Sequence, residues 1–292
     1  MLSIILTAYK EEKTIAKAIQ SILDNNLKLD YEILVIAPDK ETLGIAQIFA
    51  GKDSKIKVIK DNGEGKPSAL NKAVSYTKGD ILVLTDGDVF IDKNSLNSIL
   101  EPFKDKKIGA VCGQPISTNQ KNSLFGYWAY VLTNIANERR LIAIKNKKRF
   151  FCSGYFFAIR KNLFPKLDKE LLSEDGFISH NVYEQNYKIN YSENSKVYVK
   201  YPDNFSDWIM QKKRSAGGYN QIKKLIGTEI RSFRKESSGG LGLFKFITNL
   251  KEFFWLSLLF LARIYLWFVI YKDINLGKKS HKEIWQRVES TK

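Results

Sequence analysis

The apolar stretch Leu82-Val83-Leu84-Thr85 runs straight into Asp86-Gly87-Asp88. Two carboxylates one residue apart at a strand end can converge on one hard divalent cation, and the glycine between them leaves room for a diphosphate. The same residues also make an ordinary Asp-Gly turn. Upstream, Asp61 to Asn71 forms a glycine-rich loop that opens a helix. Its backbone N–H groups, helix N-terminus and Lys66 suit an anionic phosphate, unless it is a plain flexible connection. Ser173-Glu174-Asp175-Gly176 places adjacent carboxylates where a helix should begin. An Asp held in a cleft can take a proton from an incoming hydroxyl, whereas the bland alternative is a helix cap. Gln211-Lys212-Lys213-Arg214 sets an amide and a guanidinium three residues apart, hence on one face if helical. Arg214 there would stabilise a departing diphosphate. Lys212 and Lys213 read as part of a basic, membrane-facing helix. Thr7 to Glu12 and Ala37 to Thr42 follow apolar runs and are also readable as helix-capping loops.

Such residues act together only if a scaffold gathers them. Short β-branched runs at Leu2–Leu6, Glu32–Ile36, Ile56–Ile59 and Ile81–Leu84 alternate with helical patterns, one built on Ile15, Ile19, Ile22 and Leu23 and another on Ala69, Leu70, Ala73 and Val74. Alternation of this kind predicts an α/β fold with a doubly wound, mostly parallel sheet. Ligands then bind beyond the carboxyl ends of the strands, where the residues named above fall. After about residue 115 the pattern changes to a long aromatic helix, Leu124–Ile144, and an apolar strand, Phe150–Ile159. A length of 292 residues accommodates one large domain plus an extension, and Ser237-Ser238-Gly239-Gly240 marks the break between them.

Taken in order, these segments resemble the motifs of the family 2 glycosyltransferases, from Ser3 to about Gly218. Leu6 to Glu12 and Gly65 to Asn71 are similar to that family's two nucleotide-binding segments. Asp86-Gly87-Asp88 is similar to its metal-binding Asp-x-Asp, Glu174-Asp175 to the pair whose Asp is the base, and Gln211 to Arg214 to the Gln-x-x-Arg-Trp of membrane polysaccharide synthases. The resemblance implies a GT-A fold and an inverting transfer from a nucleotide diphosphate sugar to an acceptor hydroxyl of a lipid-linked or polysaccharide acceptor. It implies Mg2+ or Mn2+ on Asp86 and Asp88, and donor contacts from Ala8, Tyr9, Glu11, Asp39, Lys66 and Asp86. Asp175, Arg214 and Gln211 would be the catalytic group. Residues 1–115 then form the donor half, 116–236 the acceptor half, and 237–292 a membrane-associated helical segment with a basic tail. Two positions depart from the family pattern. Ala37-Pro38-Asp39 leaves Asp39 alone to contact the base of the implied UDP-sugar. Ser215 stands where the motif has Trp, which removes the signal for processive synthesis and leaves that for a single transfer.

Phe253–Tyr271 is apolar apart from Ser257 and Arg263, and as a helix would extend about 28 Å, close to a hydrocarbon core of about 30 Å. Basic residues flank both ends, Lys245 and Lys251 before it and Lys272, Lys278, Lys279 and Lys282 after, so no orientation is favoured. A transmembrane helix, an interfacial or re-entrant helix and a buried core helix all fit. The formal charge is +16, and residues 204–292 hold 17 Lys or Arg against 7 Asp or Glu. Positive charge beside an apolar run favours an anionic lipid surface over nucleic acid. Cys112 and Cys152 have neither metal-knuckle nor disulfide spacing, which suits a reducing compartment. The N-terminus reads as a strand, not a signal peptide. These features together predict a catalytic domain on the cytoplasmic side of the cell membrane. A sugar-phosphate nucleotidyltransferase and a non-enzymatic basic binding protein remain the competing classes. His180 and His281 have no partner motif and receive no role.

Overall fold

The computed structural model describes residues 1–227, 240–276 and 288–291. The first three residues of the predicted break at 237–240, Lys278, Lys279, Lys282 and His281 lie outside the described residues.

The four predicted strands are present as β1 (Leu2–Thr7), β2 (Tyr31–Ala37), β3 (Ile56–Lys60) and β4 (Ile81–Asp86), joined by α1 (Ile15–Leu23), α2 (Lys40–Ala50) and α3 (Lys66–Tyr76). β1 pairs in parallel with both β2 and β4, and β2 with β3. The chain therefore steps outward from β1 through β2 to β3, then returns to β1's other side as β4. That reversal opens a crevice at the carboxyl ends of β1 and β4, where Thr7 and Asp86 stand in register.

The sheet continues without a break into the second half. β5 (Val89–Ile91), α4 (Ser95–Leu100), β6 (Ile108–Ser117), α5 (Leu124–Lys145), β7 (Phe156–Arg160), α6 (Glu174–Glu184) and β8 (Lys188–Val199) complete an eight-stranded order β3-β2-β1-β4-β7-β6-β8-β5. In the second half β6 pairs in parallel with β8, while β7 is antiparallel to β4 and β6, and β5 to β8. Side chains of β1 alternate between two cores, Leu2, Ile4 and Leu6 packing with α1 while Ile5 packs with α3.

The predicted strand Phe150–Ile159 forms only in its second part, as β7. Residues 150–155 are irregular because their polar backbone groups are engaged by side chains rather than by a neighbouring strand. Ser153 N donates to Cys112 Sγ at 3.2 Å and Gly154 N to Asp175 Oδ2 at 2.9 Å.

α7 (Phe205–Ile226) is capped by Asn204, whose side chain accepts from Asp207 N, and α8 (Leu250–Ile270) is capped by Asn249 in the same way. α8 lays a stripe of Leu256, Leu259, Ala262, Leu266 and Ile270 against Tyr127, Trp128 and Val131 of α5 and Trp208 of α7. Its other face leaves Phe253, Phe254, Leu261, Tyr265 and Phe268 exposed. One face is thus core-like and the other is an uncovered apolar surface. Lys213 does not face a membrane: it pairs with Asp273 just beyond α8, at 2.7 Å.

Candidate active site

β4 ends at Asp86, and the turn Gly87-Asp88 leads directly into β5. Thr7, opposite on β1, donates its hydroxyl to Asp86 Oδ1 at 2.7 Å. Gly87 is required by packing rather than by a ligand. Its N–H donates to Thr7 O, and a Cβ there would collide with the Glu11 carboxylate and stand 2.9 Å from the Ala8 side chain.

The glycine-rich loop reaches the same crevice. Gly65, at φ +98, turns the chain into α3 where other residues would be strained, and Pro67 follows in the first turn. This directs Lys66 across the cleft. Its ammonium lies 2.7 Å from Asp86 Oδ1 and 3.0 Å from Glu174 Oε1, and it donates to Gly154 O at 3.3 Å. Burial alone would depress the Lys66 pKa, but Asp86 and Glu174 more than offset it and push it above the ordinary lysine value. Burial pushes Glu174 up from the usual carboxylate range despite Lys66, with Asp175 adding repulsion.

Asp175, in the first turn of α6, is held by three donors. Ser173 Oγ and Gly176 N reach Oδ1 at 2.6 and 2.8 Å, and Gly154 N reaches Oδ2. A carboxylate offers about four acceptor positions, so its orientation is fixed while capacity for one more donor remains. On α7, Gln211 is buried and donates to the Tyr155 hydroxyl at 3.4 Å, and Arg214 lies one turn on, lining the cleft. Lys212 lines it as well, in place of the expected membrane-facing position. Trp208, two turns before Ser215, supplies an aromatic lining residue from the same helix.

Ala8, Tyr9, Glu11, Lys66, Asp86, Asp88, Asp175, Gln211 and Arg214 all line one continuous cleft of about 2350 Å³. That exceeds the ≈ 300–1,000 Å³ of a small-molecule pocket and leaves room for two substrates. Asp39 sits beside the lining residue Pro38. Its carboxylate accepts from Thr42 N at 3.0 Å, capping α2, and from Lys10 N at 2.8 Å. These bonds outweigh burial and hold its pKa below the usual aspartate value.

Thr7, Glu174 and Gly154 complete the site. A carboxylate next to Asp175 signalled Glu174, but nothing in the sequence marked the partnership of Gly154 with Lys66 and Asp175. Asp86 and Asp88 offer hard oxygen donors, which fit Mg2+ or Mn2+. Among the described residues no group of three His, Cys, Asp or Glu could hold a metal, so a cation here would take further oxygens from its ligand or water.

Residues 3–168 match the family model described as Glycosyl transferase family 2. The poly-beta-1,6-N-acetyl-D-glucosamine synthase of Staphylococcus aureus (strain COL) is 25% identical over 233 residues, which cover 76% of this chain and 55% of that protein. The O-antigen chain rhamnosyltransferase WbaN of Salmonella anatum is 30% identical over 176 residues, covering 56% of this chain and 55% of the relative. The chain spans about half the length of the curated relatives it matches. Among solved structures, the mannosyltransferase PcManGT from Pyrobaculum calidifontis, in complex with GDP-Man and Mn2+, has a similar fold. Its TM-score is 0.61 at 14% identity, covering 95% of this chain and 80% of that one.

Proposed function

The chain belongs to glycosyl transferase family 2 and is a glycosyltransferase with a GT-A-like fold, and from that premise we propose that it moves a sugar from a nucleotide diphosphate, with inversion, onto the hydroxyl of a lipid-linked or polysaccharide acceptor. The observation that carries this is Lys66, which ties Asp86 at the end of β4 to Glu174 beside Asp175. The groups needed for the donor phosphates and for the acceptor proton are thereby held in one cleft.

In this reading Asp86 and Asp88 hold a divalent cation, Mg2+ or Mn2+. Such an ion supplies positive charge against the diphosphate. Mn2+ bound in a protein of the same fold supports the choice. The glycine-rich loop and Lys66 receive the phosphates, and Ala8, Tyr9 and Glu11 form the wall around the nucleotide. We propose a UDP-sugar as donor, because the remaining lone pairs of Asp39 can accept from a base N–H. Asp175 removes the proton from the acceptor hydroxyl as its oxygen bonds to the anomeric carbon. The bond from that carbon to the diphosphate breaks, and the nucleoside diphosphate leaves with the electron pair. Arg214 stabilises the charge on the leaving group, and Gln211, bonded to Tyr155, positions the acceptor side.

The uncovered apolar face of α8 supports attachment to the cytoplasmic face of the cell membrane. Within the helix and its continuation, Leu250–Asp273, an 18-residue window has a mean hydropathy of 2.0. One face is packed along its length on α5 and α7, so we place α8 in the interfacial plane rather than across the bilayer. Arg263 fits that placement, because it lines the cleft.

The test is incubation of purified protein in detergent with a panel of nucleotide sugars, with and without EDTA. Metal-dependent release of a nucleoside diphosphate is expected from one donor. Release of pyrophosphate instead would indicate nucleotidyl transfer and overturn the proposal.

A further inference from the structure

The loop that orients Asp175 is held group by group by side chains from α6, β6, α3 and β4. Cys152 N donates to Ser179 Oγ at 2.9 Å, Ser153 N to Cys112 Sγ at 3.2 Å, and Gly154 N to Asp175 Oδ2 at 2.9 Å. Gly154 O accepts from Lys66 Nζ at 3.3 Å. The following carbonyl, Tyr155 O, accepts from Thr85 Oγ1 at 3.1 Å. Of these anchors, Thr85 is the one that comes from the strand carrying Asp86.

Along β4, Leu82 and Leu84 pack with α3 and Val83 with α1. Alternation therefore turns Asp86 towards Lys66 and Thr85 to the opposite face. Thr85 is 2% exposed and stands opposite Phe156 of β7, the last pair of the β4–β7 ladder. Tyr155 lies where that pairing stops, so its buried carbonyl needs a donor from outside the ladder. The Thr85 hydroxyl supplies one, from a β-branched side chain whose rotamer is restricted. Adjacent residues at one strand end thus reach the same loop by two routes. Asp86 binds the lysine that donates to Gly154 O, and Thr85 donates to the next carbonyl.

Resting on the reading of Asp175 as the base, we infer that Thr85 is a positioning residue for the transfer: it fastens the 152–155 loop to the end of β4 and so sets Asp175 relative to Asp86. A base works only within hydrogen-bond reach of the proton it takes. Displacement of a reacting group by about 1 Å costs about 10²-fold in rate.

Thr85→Val keeps the outline of the side chain and withdraws the donor. In the assay of nucleoside diphosphate release its kcat should fall about 10- to 100-fold, with the donor KM and the activation by Mn2+ within about twofold of the native chain. Thr85→Ser, which keeps a hydroxyl, should recover most of the rate. The deciding measurement is the double variant. In an Asp175→Asn background Thr85→Val should cost less than about twofold, because the group it positions is already gone, whereas a purely structural contribution would cost the same in both backgrounds. Circular dichroism establishes that the variants are folded; should Thr85→Val not be, Thr85→Ala, which also lacks the hydroxyl, takes its place. Equal losses in the two backgrounds, an unchanged kcat, or a loss that Thr85→Ser does not recover would overturn the inference. A raised donor KM or weakened metal activation with kcat preserved would overturn it too, by moving the effect to Asp86. Full turnover in Asp175→Asn alone would instead remove the reading of the base, so the two failures are distinguishable.

Discussion

The two walls of the cleft are built by different means. On the donor side, parallel strands end in register, so Thr7 and Asp86 become neighbours through sheet pairing alone. On the acceptor side no strand end provides the key group. Asp175 starts a helix, its orientation depends on a loop residue 21 positions earlier, and Gln211 and Arg214 arrive from a further helix. The donor wall is acidic and the acceptor wall basic, with Lys66 crossing between them. In the proposed function the acidic wall would hold a divalent cation against the diphosphate, whereas the other wall carries Asp175, the proposed base, amid cations.

If the walls are separable, Asp175→Asn should injure one alone. The expected loss in kcat is about 10³-fold, within the range for a general base, with the donor KM nearly unchanged. Nucleoside diphosphate release against donor concentration checks this, and undiminished turnover would exclude Asp175 as the base. Asp88→Asn should do the converse, weakening activation by Mg2+ or Mn2+ about 10²-fold, since displacing even supporting groups of a metal site costs 10–100-fold. Metal titration of the initial rate is the measurement.

Lys66→Met should break the separation, because it leaves Asp86 and Glu174 facing each other unneutralised. Breaking a fully buried pair costs about 3–5 kcal/mol, and these groups keep some solvent access, so about 2 kcal/mol of stability is expected. Thermal unfolding should show this as a fall in Tm of about 5 °C. A carboxyl whose folded pKa stands above its unfolded value of 4.5 contributes no penalty below that value and an increasing one as pH rises through the folded value. The Lys66→Met deficit should therefore be larger at pH 8 than at pH 5. The smallest effect is expected from Asp39→Ala, about 1 kcal/mol for a lost helix cap. The Asp39 pKa is depressed, so its contribution is present above the unfolded value of 3.8 and is lost as pH falls through the folded one. Urea unfolding at pH 7 and near pH 3 should show the difference between native and variant chains shrinking in acid.

Much of the donor wall was legible in the sequence because its information is local. A β-branched run followed by Asp-Gly-Asp, and a Gly-rich loop before an amphipathic helix, each define element and site within about ten residues. The acceptor wall was legible as a list of residues but not as a mechanism. Phe150–Ile159 has strand composition throughout, yet its first part is the loop that supplies Gly154, since its amides bond to Cys112 and Asp175. Strands β6 and β8 went unrecognised. The segment Lys188–Val199 carries Ser192, Glu193 and Asn194 in its middle, which breaks the apolar pattern without breaking the strand.

The extension shows the same limit. Composition alone established that residues 253–271 form an apolar helix, but three environments shared that composition. Packing on α5 and α7 gave it one protein-facing and one uncovered face, and turned Arg263 into the cleft. By itself the sequence determined the family, the four parallel strands of the N-terminal half and the candidate residues Ala8, Tyr9, Glu11, Lys66, Asp86, Asp88, Asp175, Gln211 and Arg214 that line the cleft, because these depend on side-chain type and short-range periodicity. Tertiary structure alone decided that Lys66 joins Asp86 to Glu174, that Gly154 orients Asp175, and that the cleft's charge is split between its walls. Each of those depends on groups far apart in the chain meeting within a few ångströms, and linear spacing does not encode such meetings.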